Sequence, residues 1–237
     1  MSQETLTQLS NQPDGGVIVA IDGPSGTGKS TAARALATLL GARYLDTGAM
    51  YRVATLAVLD KGIDPADVDS VIACTEHLPL VVNEDPHSRE VLLDGRDVSE
   101  VIRGKDVTAN VSAVSAIPQV RENLVELQRR LAREAGRCVV EGRDIGTVVI
   151  TDAPVKVYLT ASAEVRATRR MEQDLAAGRD ADFAAILADI ERRDHLDSTR
   201  ATSPLRPAED ATIIDTSDLT FDEVISQLVA EVERSAR

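Results

Sequence analysis

The chain has 237 residues, of which 43% are hydrophobic, and 39 acidic against 26 basic side chains give it a formal net charge of −13. This length is typical of one or two domains and is enough to bury a sizeable core. The acid excess argues against an extended nucleic-acid surface, which needs basic side chains, and no apolar run reaches the ~18 residues of a membrane-spanning helix. We therefore expect neither a nucleic-acid polymer nor a membrane among its partners.

The N-terminus and the cysteines indicate the compartment. Met1–Gly16 is polar and lacks the apolar stretch of a secretory signal, so we expect a short disordered or loosely held extension. Two cysteines, Cys74 and Cys138, are too few for a disulfide framework and fit a reducing environment. We therefore expect a cytoplasmic protein, and a monomer because no long apolar surface stripe stands out.

Strand and helix patterns alternate along the chain. Val17–Ile21 is a short apolar run typical of a buried parallel strand, and a helix pattern over Ala32–Leu40 follows a glycine-rich segment. Tyr44–Leu45 is a short second strand. Further strands are predicted at Cys138–Val140, Val155–Leu159 and Thr212–Ile214, and further helices at Pro118–Ala135, Ser162–Ala177, Asp182–His195 and Phe221–Arg234. The alternation predicts an α/β fold with helices on both faces of a central parallel sheet.

One stretch departs from this alternation. Leu80–Val82 and Val91–Leu93 flank a polar segment, and Asp94-Gly95 then turns the chain, which predicts a β-hairpin and a neighbouring strand. We therefore interpret residues 64–114 as an inserted subdomain, and residues 17–63 together with 115–237 as the core. The segment AAGRD, which ends at Asp180, predicts a mobile break between two helices.

The strongest functional signal is GPSGTGKS at Gly23–Ser30, which matches the phosphate-loop pattern G-x-x-x-x-G-K-[ST] in full. Its glycines allow backbone N–H groups to surround phosphate oxygens, and the helix that follows adds its positive N-terminal end. Lys29 would reach the β- and γ-phosphates of a nucleotide, and the Ser30 hydroxyl could ligate Mg²⁺. The strand before the motif and the helix after it are the context that a phosphate loop requires.

Two polar clusters follow predicted strands. Asp46–Arg52 (DTGAMYR) comes after Tyr44–Leu45, and Glu141–Thr147 (EGRDIGT) comes after Cys138–Val140. Ligands bind at such strand ends in α/β sheets. A capped loop for the first cluster and a salt-bridged turn for the second remain open as structural alternatives.

Arginine is concentrated in the second half of the chain. Residues 121–200 hold 13 of the 22 arginines and only a −1 charge balance. Arg193, Asp197 and Arg200 share a helix face if the helix persists that far. Arg166, Arg169 and Arg170 also share a face, and for both groups a solvated, ion-paired surface is the alternative to phosphate binding.

Several of these blocks, in this order, resemble the bacterial cytidylate kinase family over more than nine-tenths of the chain. The resemblance is carried by Gly23–Ser30, Asp46–Arg52, Gly142–Val148, Asp152–Tyr158 and Arg193–Arg200. It implies a P-loop kinase fold, in which the central parallel sheet carries an inserted nucleoside-monophosphate-binding subdomain with antiparallel strands and a short lid at about residues 166–185. It also implies transfer of the γ-phosphoryl group of ATP to CMP or dCMP, with Mg²⁺, in pyrimidine nucleotide metabolism.

The resemblance further implies a role for individual residues. ATP would be held by Gly23, Pro24, Ser25, Gly26, Thr27, Gly28, Lys29, Ser30 and Thr31, with lid arginines at Arg166, Arg169 and Arg170. The acceptor phosphate would be bound by Arg52, Arg143 and Arg200. The cytosine would be bound by Ser112, Arg121 and Asp144. The ribose and phosphate would be bordered by Tyr51, Arg193 and Asp197, with Thr47 beside them. Lys29, Arg143, Arg169 and Arg200 would stabilise the transferring group.

This chain differs from many members of the family at two positions, since Glu141 stands where they have Asp and Thr47 stands where they have Ser. Both differences keep the chemical type of the side chain. Two other functions share the phosphate loop. One is a kinase for UMP, dTMP or a small metabolite, and the other is an ATP-binding regulator without catalysis. A GTPase would need an Asn-Lys-x-Asp element for guanine, which the sequence lacks.

Overall fold

The computed structural model describes residues 16–235. Its strands, in chain order, are β1 (Ile18–Asp22), β2 (Arg43–Asp46), β3 (Leu80–Val82), β4 (Val91–Leu93), β5 (Arg96–Asp97), β6 (Cys138–Glu141), β7 (Val155–Thr160) and β8 (Thr212–Asp215). Its α-helices are α1 (Lys29–Leu40), α2 (Thr47–Asp60), α3 (Val68–Thr75), α4 (Lys105–Ala116), α5 (Pro118–Ala135), α6 (Ala163–Ala176), α7 (Phe183–Thr199) and α8 (Phe221–Ser235). A 3₁₀ turn covers Val101–Arg103 and a π-helix covers Ile145–Val149. The predicted N-terminal extension lies outside the described residues, apart from Gly16.

The central sheet is parallel throughout, in the order β2-β6-β1-β7-β8. Its middle strand, β1, pairs with β6 at Ile18 and Cys138 and with β7 at Val19 and Val155. The short apolar sequences of these strands are buried on both faces, as a parallel sheet between helices requires. The parallel sheet predicted from the sequence is therefore confirmed.

Helices cover both faces of this sheet. On one face α1 and α8 pack Leu36 and Leu228 against Val139 of β6. On the other face α2 and α5 pack Met50 and Leu124 against the same sheet. The carboxyl ends of the strands consequently meet at one edge, where β1 runs into Gly23 and β6 into Gly142.

The small antiparallel sheet β3-β4-β5 lies apart from the central sheet. Val91, Leu93 and Ile102 pack against Val53 of α2, so this sheet is attached through a helix of the core. The antiparallel element expected within residues 64–114 is therefore present, and helices α3 and α4 flank it.

Some element boundaries differ from the prediction. Residues Thr47 to Arg52 form the start of α2, because the Asp46 carboxylate caps this helix by accepting from the Ala49 amide at 2.9 Å. Helix α7 continues to Thr199 instead of ending at His195, so Arg193 and Asp197 do share a helix, and Arg200 follows its last turn. The π-helix was not predicted. Within residues 16–235, no helix has both the length and the hydropathy that crossing a membrane would demand.

Candidate active site

The phosphate loop, Gly23–Ser30, connects β1 to α1 and depends on its glycines. Gly23 has φ +145°, and a Cβ there would lie 2.0 Å from the Leu159 carbonyl oxygen. Gly26 and Gly28 also have positive φ, at 86° and 87°. Gly28, Ser30 and Thr31 are exposed at the start of α1, so a phosphate can reach the first amides of the helix.

Lys29 lies buried behind this loop. Its Nζ donates to the Pro24 carbonyl oxygen at 2.6 Å. Burial, and then the neighbouring Arg143 guanidinium, lower the pKa of Lys29 below its ordinary value. The lysine therefore lies among charges of both signs, since the Glu141, Asp22 and Asp197 carboxylates act on its pKa in the opposite direction.

Glu141, at the end of β6, is a buried carboxylate beside the phosphate loop. The Tyr44 hydroxyl donates to its Oε1, and the Ser30 side chain lies close enough to lower the pKa of this carboxyl. Its Oε2 is buried and has no hydrogen-bond partner among the described residues. Burial raises the pKa of Glu141, with the Asp46 carboxylate as the next cause.

A cluster of arginines lies near Lys29. Arg143 donates from Nε to Asp197 Oδ2 at 2.7 Å, and Arg52 donates to the Ile102 carbonyl and the Thr108 hydroxyl, both at 2.9 Å. Burial, followed by the Arg193 charge, lowers the pKa of Arg52 to about 10. Burial and then Arg143 likewise lower the pKa of Arg193. These guanidinium groups therefore repel one another, and a bound anion would relieve that repulsion.

Two nitrogen atoms of this cluster have no hydrogen-bond partner within residues 16–235. Arg193 Nε and Arg200 Nη2 are buried without a hydrogen bond to any described residue. Arg200 uses its Nε to donate to the Ser203 carbonyl at 2.5 Å, and its Nη1 lies 3.9 Å from Asp197. Because an unpaired buried guanidinium nitrogen is costly, these atoms point to an anionic ligand.

The third part of the site is a buried ion pair between Arg121 of α5 and Asp144, which follows β6. Arg121 Nη2 donates to Asp144 Oδ2, and its Nη1 donates to the Ser115 carbonyl at 3.2 Å. The Arg121 guanidinium also lies over the Tyr51 ring, 5.1 Å from its centre. Arg121 Nε and the Tyr51 hydroxyl are buried without partners within residues 16–235. The pair can therefore still accept hydrogen bonds from, or donate them to, a polar ring.

Of the predicted lid arginines, Arg166 contacts the phosphate loop. It donates to the Ser25 carbonyl at 3.1 Å and binds both carboxylate oxygens of Asp194, at 3.1 and 2.5 Å. Arg169 donates to the hydroxyl and carbonyl oxygens of Thr216, at 3.1 and 2.6 Å, and Thr216 donates in turn to the Thr27 carbonyl at 3.2 Å. Helix α6 is thus fastened to the loop through two arginines.

Other predicted residues have local partners. Arg170 donates to Asp174 at 3.2 Å on the exposed side of α6. The Thr47 hydroxyl donates to the Glu141 carbonyl at 2.7 Å, which ties the start of α2 to the end of β6. Ser112 is half-buried on α4, and its carbonyl accepts from the Ser115 hydroxyl at 3.3 Å. Thr27 donates to the Pro24 carbonyl at 3.2 Å and so closes the phosphate loop.

The sequence predictions did not assign a role to Asp22, Asp194 or Thr216. Asp22, just before the loop, accepts from the amides of Ile145 and Gly146, both at 2.8 Å. Burial raises its pKa to about 6. The position of Asp22 immediately before Gly23 could have marked it as a site residue from the sequence. Asp194 and Thr216 are recognisable as site residues only from the contacts that α6 makes.

Comparisons with known proteins identify the family of this chain. The model of the cytidylate kinase family matches residues 19–234. Cytidylate kinase from Corynebacterium glutamicum is 70% identical over 224 residues, which cover 94% of this chain and 97% of the relative. Cytidylate kinase from Mycobacterium avium is 59% identical over 212 residues, with 90% and 93% covered.

Among solved structures, a gluconokinase from Sinorhizobium meliloti 1021 aligns over 93% of each chain at 15% identity, with a TM-score of 0.48. A score this low carries no argument. The family match and the sequence identity to the cytidylate kinases are the findings that count, and they confirm that the chain is a kinase, as the sequence motifs predicted. The chain belongs to the cytidylate kinase family.

Proposed function

We propose that this chain transfers the γ-phosphoryl group of ATP to CMP or dCMP, giving ADP and CDP or dCDP. The observation that carries the proposal is the position of Arg143. It is paired with Asp197 within the arginine cluster, and it follows β6, whose Glu141 pairs with Ile21 of β1, so its backbone lies beside the start of the phosphate loop. A phosphate held by Arg143 would therefore lie next to one held by Lys29, as transfer between two phosphates demands.

On the donor side, we propose that residues 23–31 bind ATP. The positive φ of the loop glycines and the exposed amides at the start of α1 support this assignment. Lys29 would neutralise the β- and γ-phosphates. Arg166 and Arg169, fastened beside the loop, would meet the transferring group, and Arg170 would turn from Asp174 towards ATP when the lid, at about residues 166–185, closes.

The residues beside the loop fit Mg²⁺. The Ser30 hydroxyl is exposed, and the Glu141 carboxylate next to it keeps one buried oxygen without a partner among the described residues. Oxygen donors of this kind are the ligands that Mg²⁺ prefers. Mg²⁺, when bound, would neutralise charge on the ATP phosphates, with Ser30 as its ligand and Glu141 nearby.

On the acceptor side, we propose that the arginine cluster holds the CMP phosphate through Arg52, Arg143 and Arg200. The unpaired nitrogens of Arg193 and Arg200 and the mutual repulsion of these arginines support an anion here. The ribose would lie near Tyr51, Arg193 and Asp197, with Thr47 holding the strand end beside them.

We further propose that Asp144 reads cytosine by accepting from its exocyclic amine, while Arg121 and Ser112 meet the ring carbonyl and N3. Arg121 pairs with Asp144 Oδ2, which leaves Asp144 Oδ1 for the base within the described residues. A buried carboxylate that accepts from an amine rejects the carbonyl of uracil at the same position. Residues 64–114 would form the acceptor subdomain around this base. The expectation that the chain is a monomer stays a prediction.

The reaction needs no general base. The attacking oxygen belongs to a phosphate that is already ionised, so the chain has to bring two polyanions into line and stabilise their charge. The acceptor arginines would hold the attacking oxygen at about 3 Å from the γ-phosphorus. Closure of the lid would exclude water and so prevent wasteful hydrolysis of ATP.

A coupled assay of ADP release tests the proposal. The purified chain is given Mg·ATP and, separately, CMP, dCMP, UMP and dTMP, with ATP alone as the blank. We expect the largest kcat/KM with CMP or dCMP. A preference for UMP or dTMP, or release above the blank with none of the four, would contradict the proposal.

A further inference from the structure

The segment that follows Asp144 has an uncommon backbone. Ile145–Val149 forms a π-helix, in which the Val149 amide donates to the Asp144 carbonyl at 3.1 Å and the Ile150 amide donates to the Ile145 carbonyl at 2.7 Å. Such wide turns are rare and are maintained only where the surroundings hold them. The two residues before it, Arg143 and Asp144, are the proposed contacts for phosphate and base.

A carboxylate holds the first end of this π-helix. Asp22 accepts from the Ile145 amide through Oδ1 and from the Gly146 amide through Oδ2, both at 2.8 Å. It is 4% exposed, so water does not compete for these bonds. Asp22 ends β1 and directly precedes Gly23, so this contact ties the start of the phosphate loop to the start of the π-helix.

A guanidinium holds the other end. Arg129 donates from Nε to the Val149 carbonyl at 2.8 Å and from Nη2 to the Val148 carbonyl at 2.7 Å. It lies on α5, about two turns beyond Arg121, which pairs with Asp144. An anion at the amide end and a cation at the carbonyl end match the dipole of the turn.

We propose that Asp22 and Arg129 are positioning residues that clamp the two ends of the π-helix and thereby fix Arg143 and Asp144 in the geometry that binds the acceptor nucleotide. This inference rests on the proposed function. Neither residue touches the acceptor, since Asp22 is spent on the Ile145 and Gly146 amides and Arg129 on the Val148 and Val149 carbonyls. The clamp consequently acts through the backbone, and its loss should weaken binding of the acceptor nucleotide more than binding of ATP.

The variant Arg129→Ala tests the clamp, because its exposed side chain can be removed without opening a cavity. We expect KM for CMP, and the Kd for CMP measured by calorimetry without ATP, to rise about tenfold, since two charge-assisted hydrogen bonds are lost. KM for ATP should change less than about twofold. Arg129→Lys should restore part of the CMP affinity, and Arg130→Ala, which removes the exposed neighbour, should change neither constant.

The variant Asp22→Asn is an independent test of the same clamp. Its amide oxygen can accept from one of the two backbone amides while its NH₂ faces the other, so we expect a rise in KM and Kd for CMP. KM for ATP should rise by less, and by more than in Arg129→Ala, because Asp22 directly precedes Gly23. Equal changes in the KM values for CMP and ATP, or a lower Tm with both KM values unchanged, would overturn this inference and leave the proposed function standing. A wild-type chain that does not phosphorylate CMP would overturn the proposed function and the inference with it.

Discussion

The donor and acceptor sides of this site are built in different ways. The donor side is centred on one continuous segment, Gly23–Ser30, whose shape is set by glycines at positive φ and by the helix that follows, with the arginines of α6 beside it. The acceptor side gathers arginines from α2, α5, the segment after β6 and the residue that follows α7, and each of them donates to a carboxylate or carbonyl oxygen. Backbone geometry therefore defines the first side and side-chain ion pairs define the second.

This difference has a consequence for mutation. On the donor side, the backbone amides at the start of α1 remain in place for phosphate when the Lys29 side chain is shortened. Removing one charged side chain on the acceptor side leaves its buried partner without a counter-charge, as with Asp144 and Arg121, which are 3% exposed each. We therefore expect donor variants to affect the chemical step and acceptor variants to affect binding as well.

The largest expected effect is that of Lys29→Met. We expect kcat to fall about a thousandfold, because the charge that neutralises the transferring phosphoryl group is lost. The CMP Kd, measured by calorimetry, should stay within about twofold, because Lys29 belongs to the donor side. A loss of CMP binding equal to the loss of kcat would break the division into two sides.

Arg143→Ala comes next, with about a hundredfold lower kcat/KM for CMP, because Asp197 is then left without its 2.7 Å partner beside the acceptor phosphate. Steady-state kinetics at saturating ATP measure this loss. In a double-mutant cycle, Asp197→Asn in the Arg143→Ala background should cost much less than it does alone. Additive losses, or unaltered CMP kinetics in Arg143→Ala, would contradict the acceptor assignment.

The same contrast explains what the sequence could predict. Strand, glycine loop and helix are local patterns, so the sheet, the phosphate loop and the position of Lys29 followed from adjacent residues. The roles of Arg52, Arg121 and Arg200 came from the resemblance to a family. Spacing alone favoured an ion-paired surface at Arg193 and Arg200, because no local pattern reveals which distant segments will meet.

The contacts of Asp22 and Arg129 were beyond sequence reasoning for a related reason. Arg129 reads as part of an exposed helix surface, and its partners are backbone carbonyls, which have no residue signature. The π-helix likewise has no simple periodicity. Glu141 was recognisable as part of a polar cluster, but its contact with Tyr44 joins residues 97 positions apart.

Asp144→Asn is expected to act on specificity more than on rate. The ratio of kcat/KM for CMP to that for UMP should fall about thirtyfold, because the Asn amide can donate to the uracil carbonyl where the carboxylate cannot. Parallel assays with the two nucleotides measure the ratio. An unchanged preference for CMP would rule out Asp144 as the base-reading residue, and KM for ATP serves as the internal control for the donor side.

The smallest expected effect separates two arginines that share one carboxylate. Arg170 and Arg179 both pair with Asp174, at 3.2 and 2.5 Å, on the exposed side of α6 and the turn beyond it. Such exposed pairs contribute little to stability, so neither Arg170→Ala nor Arg179→Ala should lower Tm appreciably. The two variants therefore differ only in what Arg170 does when ATP is bound.

If Arg170 turns to ATP as the lid closes, Arg170→Ala should raise KM for ATP about threefold, while Arg179→Ala should leave it unchanged. The KM for CMP should not respond to either variant. Equal effects of the two substitutions would mean that Arg170 belongs to the surface of α6, and the donor side would then end at Arg166 and Arg169, the two arginines fastened to the phosphate loop.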